Sequence, residues 1–597
     1  MISIVKNLIL GIYYLIYLTF EVWMSPFLCL LLCLSIPGGV KLAQKGKTIG
    51  NKSWVTLLIG GIVLYVSIIE MLFRTGGFDI AIKDGVLSQI YYIVICMFAL
   101  QESNKIWLDI LLSQSQNANN NIKFYTRIKN ATYILFSIGL VPVIAISPYI
   151  YARADDYSFG YHCRIAWEMS GSIWEVIKAA GVMIKEAYFG WQGTFSSIFM
   201  MAIQPAVFDE KLYAVVPMFF VLIITGCSYF FLKTVLIDWL KIENTVSKIC
   251  IWVYIFFGIQ CIPVIQSAFF WYNGAVHYIA SHCMELCLLA FLIRIYIGKQ
   301  KWSDYLGGSF SAIYVGGGNL VTLAGTLLIS LTIILGIAVT KTWKKNKNVF
   351  FICIVFWCAM AVNLMAPGNY SRLEVADSMG MFEAFVQAFI QSISFVFGEW
   401  MHWTVIAVIV FLLPFLWKIA GMIKSSFSYP IIIISYSWCY LASLFFSPLY
   451  GAGKVGAGRY KNIMFLQGIL LIFFDIVYLM GWMQRKYNLL NKKNFIKNEE
   501  KYIISVIGCI GIALILSYIA EPEHYLTFGC IETLKEKECL EEYAKDYWEN
   551  VEMFTSGEKS LTLNRLDNIP QFIEATESEE WYSGTCLFYQ FDERNFK

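Results

Sequence analysis

Runs of about 20 apolar residues recur along almost the whole chain, each long enough to cross roughly 30 Å of hydrocarbon as a helix. The shorter alternating segments that build a membrane β-barrel are missing. The pattern predicts an all-α polytopic membrane protein.

Lys and Arg in the short loops orient the spans, because basic residues are held on the cytoplasmic side. Lys41, Lys45, Lys47 and Lys52 set their loop inside. The run 54–73 then goes out, and 90–100 returns to a second basic loop with Lys105, Lys123, Arg127 and Lys129. The run 134–151 therefore ends outside and delivers Asp155 and Asp156 there. Next, 212–236 runs in, 251–270 out and 275–297 in. Residues 306–340 form a hairpin with Gly316, Gly317 and Gly318 at its apex, since the following loop (Lys341, Lys344, Lys345, Lys347) is basic again. From there 350–365, 403–416, 429–446, 465–481 and 502–519 alternate across the bilayer, the last leaving the basic loop 485–501. This gives about 11 spans in the core and about 14 or 15 in all, depending on whether 4–40 is one helix or two broken near Pro26.

Three regions follow from this spacing. Residues 1–129 read as an added transmembrane segment of three or four spans, 130–520 as the core, and 521–597 as a small extracytoplasmic C-terminal domain near the lower size limit for folding alone. No cleaved signal peptide is expected, since the first apolar run lacks a small-residue cleavage site. The outer segment between Asp155 and Glu210 is too long for a turn. Within 171–184, Ile173, Trp174, Ile177, Ala180 and Ile184 share one helical face, opposite Glu175 and Lys178, and 195–206 is apolar but short. Both are expected to lie along the outer interface, a depth that suits the local density of Tyr and Trp.

Composition agrees with the pattern: of 597 residues 58% are hydrophobic and 15% charged, against about 25% charged in soluble domains. The net charge of +3 says little where placement outweighs the sum. Membrane lipids are expected partners and nucleic acid is not. Most of the 16 cysteines fall inside spans as small apolar residues. Cys163, Cys530, Cys539 and Cys586 fall outside, where a Cys530–Cys539 bridge is one option. No CxxC or His/Cys metal spacing occurs.

On this topology the unusual polar residues collect on one side. The first outer loop holds Arg153, Asp155, Asp156, His162, Arg164 and Glu168; Asn273 and His277 follow, then Asn369 and Arg372, then a glycine-rich loop with Lys454, Arg459 and Lys461. That last loop runs against the positive-inside bias, and basic residues kept there fit an anion, phosphate first. Each feature also has a plain reading. The Asp pair can be solvated, His277 can bond within the bundle, Pro367-Gly368-Asn369 is a turn signal, and Lys454 and Arg459 can meet lipid headgroups. The glycine triplet is no P-loop, because Lys and Ser/Thr do not follow it. The case rests on convergence. By position Asp156 should be the more exposed of the pair and Asp155 the closer to the preceding helix.

A core helix ending in an Asp-Asp pair, a long outer loop with interfacial helices and later outer basic residues resemble the GT-C superfamily of integral-membrane glycosyltransferases, in a poorly characterised bacterial branch. The motifs are Ala154-Asp155-Asp156-Tyr157, Asn273-Gly274-Ala275 and Ala366-Pro367-Gly368-Asn369-Tyr370-Ser371-Arg372, within roughly 130–520. The resemblance implies a GT-C-like bundle that moves a sugar from a polyprenyl-phosphate donor to a cell-envelope acceptor, such as a glycan or teichoic acid, on the outer face of the cell membrane. Asp155 or Asp156 would take the acceptor's proton. Arg372, Lys454 and Arg459 would steady the departing phosphate. Arg153, His162, Arg164, Asn273, His277, Asn369 and Lys461 complete the substrate-binding candidates. No cofactor is expected, although a divalent metal is compatible with paired aspartates. Two rivals stand beside this reading: a transporter or flippase of lipid-linked oligosaccharide, and a polysaccharide polymerase or ligase. A transporter would place charge near mid-bilayer in paired halves, whereas here no repeat is evident and the charges gather in outer loops.

Overall fold

The computed structural model describes residues 122–153, 155–376, 378–401, 403–455, 458–488, 522–556, 570, 572 and 581–590. The expectations for the first three or four spans and for 502–519 lie outside them. All regular structure among the described residues is helical. Nine helices there are long and apolar enough to cross a membrane, which makes this a multi-pass helical membrane protein. The chain divides into two compact units. One takes in Met1–Arg127, Ile390–Ser435 and Leu470–Pro522, the other Ile128–Phe389, Tyr436–Ile469 and Glu523–Lys597.

The second unit carries every candidate residue. Helix α1 (Ile122–Ile146) has Pro142 in its last turns and passes into a 3-10 turn, Ser147–Tyr149, that contains Pro148. Two prolines so close together stop the helix and turn the chain toward the acid pair. The outer segment then folds as α2 (Asp155–Ser170), α3 (Ile173–Gly190) and α4 (Phe195–Ala202). In α3 the apolar residues divide between two faces: Val176, Ala180, Met183 and Ala187 are buried, while Ile173, Trp174 and Ile177 are exposed. Ala180 therefore leaves the face assigned to it by periodicity.

Helix α5 (Val216–Lys233) follows a 3-10 turn from Glu210 and continues as a π-helical stretch, Thr234–Trp239. The expected span 251–270 is not one helix. Helix α6 (Asn244–Gln260) stops ahead of Pro263, and the chain resumes as a π turn, Gln266–Phe270. Helix α7 (Tyr272–Tyr296) begins after the extended residue Trp271 and contains a second π turn, Val276–Ala280. Isolated π turns tend to occur at functional sites, and these two flank the Asn273 motif. Helices α8 (Trp302–Gly316) and α9 (Leu320–Val339) form the expected hairpin. A Cβ at Gly316 would come within 2.8 Å of Phe356 O and Met360 N on α10 (Trp343–Leu364), so glycine also sets that packing distance.

Helix α11 (Pro367–Val375) is short. The next helix, α12 (Met381–Phe395), extended by a π turn to Trp400, occupies a stretch read from sequence as loop. Glu383, Gln387 and Gln391 interrupt its apolar run and hid it. Helices α13 (Trp403–Met422), α14 (Pro430–Ala452) and α15 (Arg459–Lys486) occupy expected places with longer bounds. In the tail, α16 (Leu526–Lys535), α17 (Lys537–Thr555) and α18 (Trp581–Phe588) belong to the unit of α2. Tyr547 and Tyr589 donate to Glu210 at 3.0 and 2.5 Å, and Phe588 meets the Tyr157 ring edge-on. The tail and the first loop thus share one core. Cys530 and Cys539 do not form the bridge that spacing offered as one option.

Candidate functional site

The Asp-Asp pair separates into two unlike groups. Asp156 is fully buried, whereas Asp155 is half-buried, the reverse of the exposure order read from position. The cause is local. The Arg153 carbonyl accepts the Asp156 N–H at 3.0 Å, and the Asp156 carboxylate accepts the Arg153 N–H at 3.1 Å. That reciprocal pair is the capping arrangement of a helix start, and it turns the second acid inward.

Once inside, the carboxylate gathers distant segments. Tyr213 donates its hydroxyl to Asp156 Oδ2 at 2.5 Å and accepts the Tyr272 N–H at 2.8 Å. The Asn273 N–H donates to Asp156 Oδ1 at 3.1 Å. Gln204 donates to the Asp156 carbonyl at 2.9 Å, and Arg153, itself buried, donates to the Phe270 carbonyl at 3.2 Å. Burial pushes the Asp156 carboxyl up to about 7, against the pull of the Tyr213, Arg153 and Asn273 hydrogen bonds and the Arg153 charge. Asp156 thus clamps the start of α2 to the start of α7.

On the clamped end of α7, Asn273 and His277 are one helical turn apart and so share a face. Two guanidinium groups, Arg372 and Arg459, act electrostatically on the His277 ring. Arg459 stacks over Trp271 with 4.2 Å from its guanidinium carbon to the ring centroid. Arg372 stands over Trp191 at 5.1 Å and donates to Gln192 Oε1 at 2.9 Å. Gly368 makes this seat fit: a Cβ there would lie 2.5 Å from Trp191 N and 2.7 Å from Gln192 N. The polar atoms on this wall lack protein partners. Trp271 Nε1, both polar atoms of the Asn273 carboxamide and His277 Nδ1 are buried with no hydrogen-bond partner among the described residues. Buried polar atoms are normally satisfied.

The remaining candidates are used elsewhere. His162 pairs with Glu186 at 2.9 Å. Arg164 holds Glu168 at 2.6 Å and the carbonyls of Ala206 and Val207 at 3.2 and 3.3 Å. Asn369 accepts the Gly193 N–H at 3.0 Å and donates to the Asn363 carbonyl at 2.7 Å. Lys454 is exposed and Lys461 half-buried. Sequence reasoning missed Tyr213 and Trp191, which lie far from the motifs they serve and carry no local signal. Trp271 stands two residues before Asn273, where an aromatic at a helix break could have drawn notice.

A second polar cluster lies within α7. Glu285, almost fully buried near the middle of the span, accepts Thr326 Oγ1 at 2.9 Å and Tyr440 OH at 3.0 Å, and also the Gln467 amide. Here a charged residue type does sit mid-span, against the expectation that such residues keep to loops. Among the described residues no three His, Cys, Asp or Glu side chains group as metal ligands. Comparison with protein-family models, with curated proteins and with solved structures found no match to this chain.

Proposed function

We propose that this protein is a membrane glycosyltransferase that moves a sugar from a polyprenyl-phosphate donor to a cell-envelope acceptor at the face carrying Asp155. The resemblance to GT-C enzymes suggested that chemistry. The observation that carries it is Arg459 stacked on Trp271, beside the unpartnered polar atoms of Asn273 and His277 on a helix end clamped by the acid of the same Asp-Asp motif. Two fixed guanidinium groups suit a phosphate whose charge grows as the sugar leaves.

In this reading Asp155 is the base. It accepts the proton of the acceptor hydroxyl as that oxygen attacks the anomeric carbon. The bond from that carbon to the phosphate oxygen breaks, its electron pair stays on the lipid phosphate, and configuration inverts. A carboxylate beside an oxocarbenium-like transition state is familiar from glycoside hydrolysis. Asp156 is a positioning residue whose oxygens already serve Arg153, Tyr213 and Asn273. The test supplies purified protein with radiolabelled polyprenyl-phosphate sugars and an acceptor fraction from the envelope. Release of free polyprenyl phosphate with labelled acceptor supports the reading, and absence of turnover with every donor sinks it.

Glu285 favours one alternative. A buried carboxyl in mid-span is common where transporters bind substrate or coupling ions. A flippase would move an intact lipid-linked sugar across liposomes and release no free lipid phosphate.

A further inference from the structure

We infer that Trp271 Nε1, the Asn273 carboxamide and His277 Nδ1 form a hydroxyl-reading subsite that recognises a neutral, polyhydroxylated sugar joined to the phosphate held by Arg372 and Arg459. The inference rests on the proposed donor chemistry and names the part of the donor that this wall would read.

The hydrogen-bonding capacity of these side chains limits what they can bind. Trp271 Nε1 can only donate. The Asn273 carboxamide offers two donor hydrogens and one acceptor oxygen, and His277 Nδ1 takes either role by tautomer. Trp271 and Asn273 are only 3% and 2% exposed, and none of these atoms has a partner among the described residues. Leaving so many polar atoms buried and unmet is costly, and each gains if a ligand supplies the complement.

A phosphate alone cannot supply it. Phosphate oxygens accept hydrogen bonds, so they suit the guanidinium groups and the indole N–H but leave Asn273 Oδ1 unmet. A sugar hydroxyl donates and accepts at once, and several on one ring can meet the carboxamide, the indole and the imidazole together. The positions fit. Arg459 stacks on the Trp271 ring whose N–H is unmet, which sets a cation directly beside the neutral donors of the wall. Both charges acting on His277 are positive, which disfavours a sugar with a free ammonium group. Asn273 is held from behind, since its own N–H is bound to Asp156 at 3.1 Å, so its side chain is left for the ligand. Such a wall discriminates strongly, because an analogue lacking the hydroxyl leaves buried polar groups unmet.

The test compares two lipids on the full-length protein in detergent: polyprenyl phosphate, and the same lipid bearing a neutral hexose. Trp271→Phe removes the N–H and keeps a ring under Arg459. Asn273→Leu removes the carboxamide, nearly conserves volume and keeps the backbone N–H on Asp156. Each variant is expected to weaken binding of the hexose-bearing lipid on the order of tenfold, and binding of the bare lipid phosphate by a distinctly smaller factor. Equal weakening for both lipids, or none for either, overturns the subsite. Failure of the wild type to bind bare polyprenyl phosphate strikes the donor reading itself, whereas tight bare-lipid binding with no gain from the hexose overturns only the subsite. Thermal melting of both variants close to the wild type is the control for folding.

Discussion

Asp156 Oδ1 accepts the backbone N–H of Asn273 at 3.1 Å, joining residues 117 positions apart in the chain. That bond fixes the helix end bearing His277 to the turn bearing Asp155, so Asp156 serves as a clamp, and the proposed reading assigns the base to Asp155. Asp155→Asn is expected to leave expression and melting near wild type while transfer falls by about two to four decades. Asp156→Ala should instead lose about 3–5 kcal/mol of stability, since it leaves Arg153 and Tyr213 buried without their acceptor. Transfer assays paired with detergent melting curves separate the two, and full activity in the Asp155 variant would end its assignment as base.

The Asp156 carboxyl also predicts a pH dependence. Its native value is raised from 3.8 to about 7, chiefly by burial. The folded protein therefore holds that proton more tightly than the unfolded chain, and the sign follows from linkage. This contribution to stability is fully present below about pH 4 and is lost as pH rises to about 7, with no further change above. Melting temperatures measured from pH 5 to 8 should show a downward slope that flattens near neutrality. Asp156→Asn should make the slope shallower, and an identical slope in both proteins would contradict the assignment.

Arg459 stacks on Trp271 as a planar group, so its replacement by lysine is not a neutral exchange. Arg459→Ala and Arg372→Ala should weaken binding of bare polyprenyl phosphate, and part of each loss should appear in the rate because phosphate charge grows in the transition state. Arg459→Lys should recover only a fraction. Binding isotherms and single-turnover rates for the same variants check this, and wild-type affinity in both alanine variants would remove the phosphate site.

Topology supplies a parity argument. Arg372 and Arg459 both act on His277, yet three candidate spans lie between them: Met381–Trp400, Thr404–Met422 and Pro430–Ala452. An odd number of full crossings would set the two arginines on opposite faces, so one of the three is expected not to cross. Met381–Trp400 is the least buried of all nine at 17%, with Met381, Phe382 and Phe385 largely exposed. It is expected to lie in the interface. Impermeant thiol labelling of cysteines placed at Ser378 and Met401 should react from one side, that of Asn369 and Ser158, with Lys345 on the other. Labelling of Ser378 and Met401 from opposite sides would refute this.

Glu285 ties Thr326, Tyr440 and Gln467 to one carboxyl. Glu285→Ala should cost about 2–4 kcal/mol by leaving those groups unmet, and Glu285→Gln distinctly less because an acceptor remains. Melting curves check the order. Loss of lipid translocation in liposomes on Glu285→Gln, with no free lipid phosphate released by the wild type, would favour the flippase alternative.

Hydrophobic pattern alone determined that this is a helical membrane protein and placed most of its spans, because a bilayer demands about 20 apolar residues per crossing whatever the fold around them. It also picked out the Asp-Asp turn, Asn273, His277, Arg372 and Arg459, since polar residues next to spans stand out against so apolar a chain. Pattern failed where length and polarity conflict: Pro263 divides the run 251–270, and Glu383, Gln387 and Gln391 masked the helix from Met381. Only the tertiary structure decided that Asp156 faces inward, that Tyr213 and Trp191 stand beside the candidate residues, and that His162, Arg164 and Asn369 are bonded elsewhere. Those outcomes depend on contacts between residues tens to hundreds of positions apart, and hydropathy along a chain carries no record of which distant donor meets which buried acceptor.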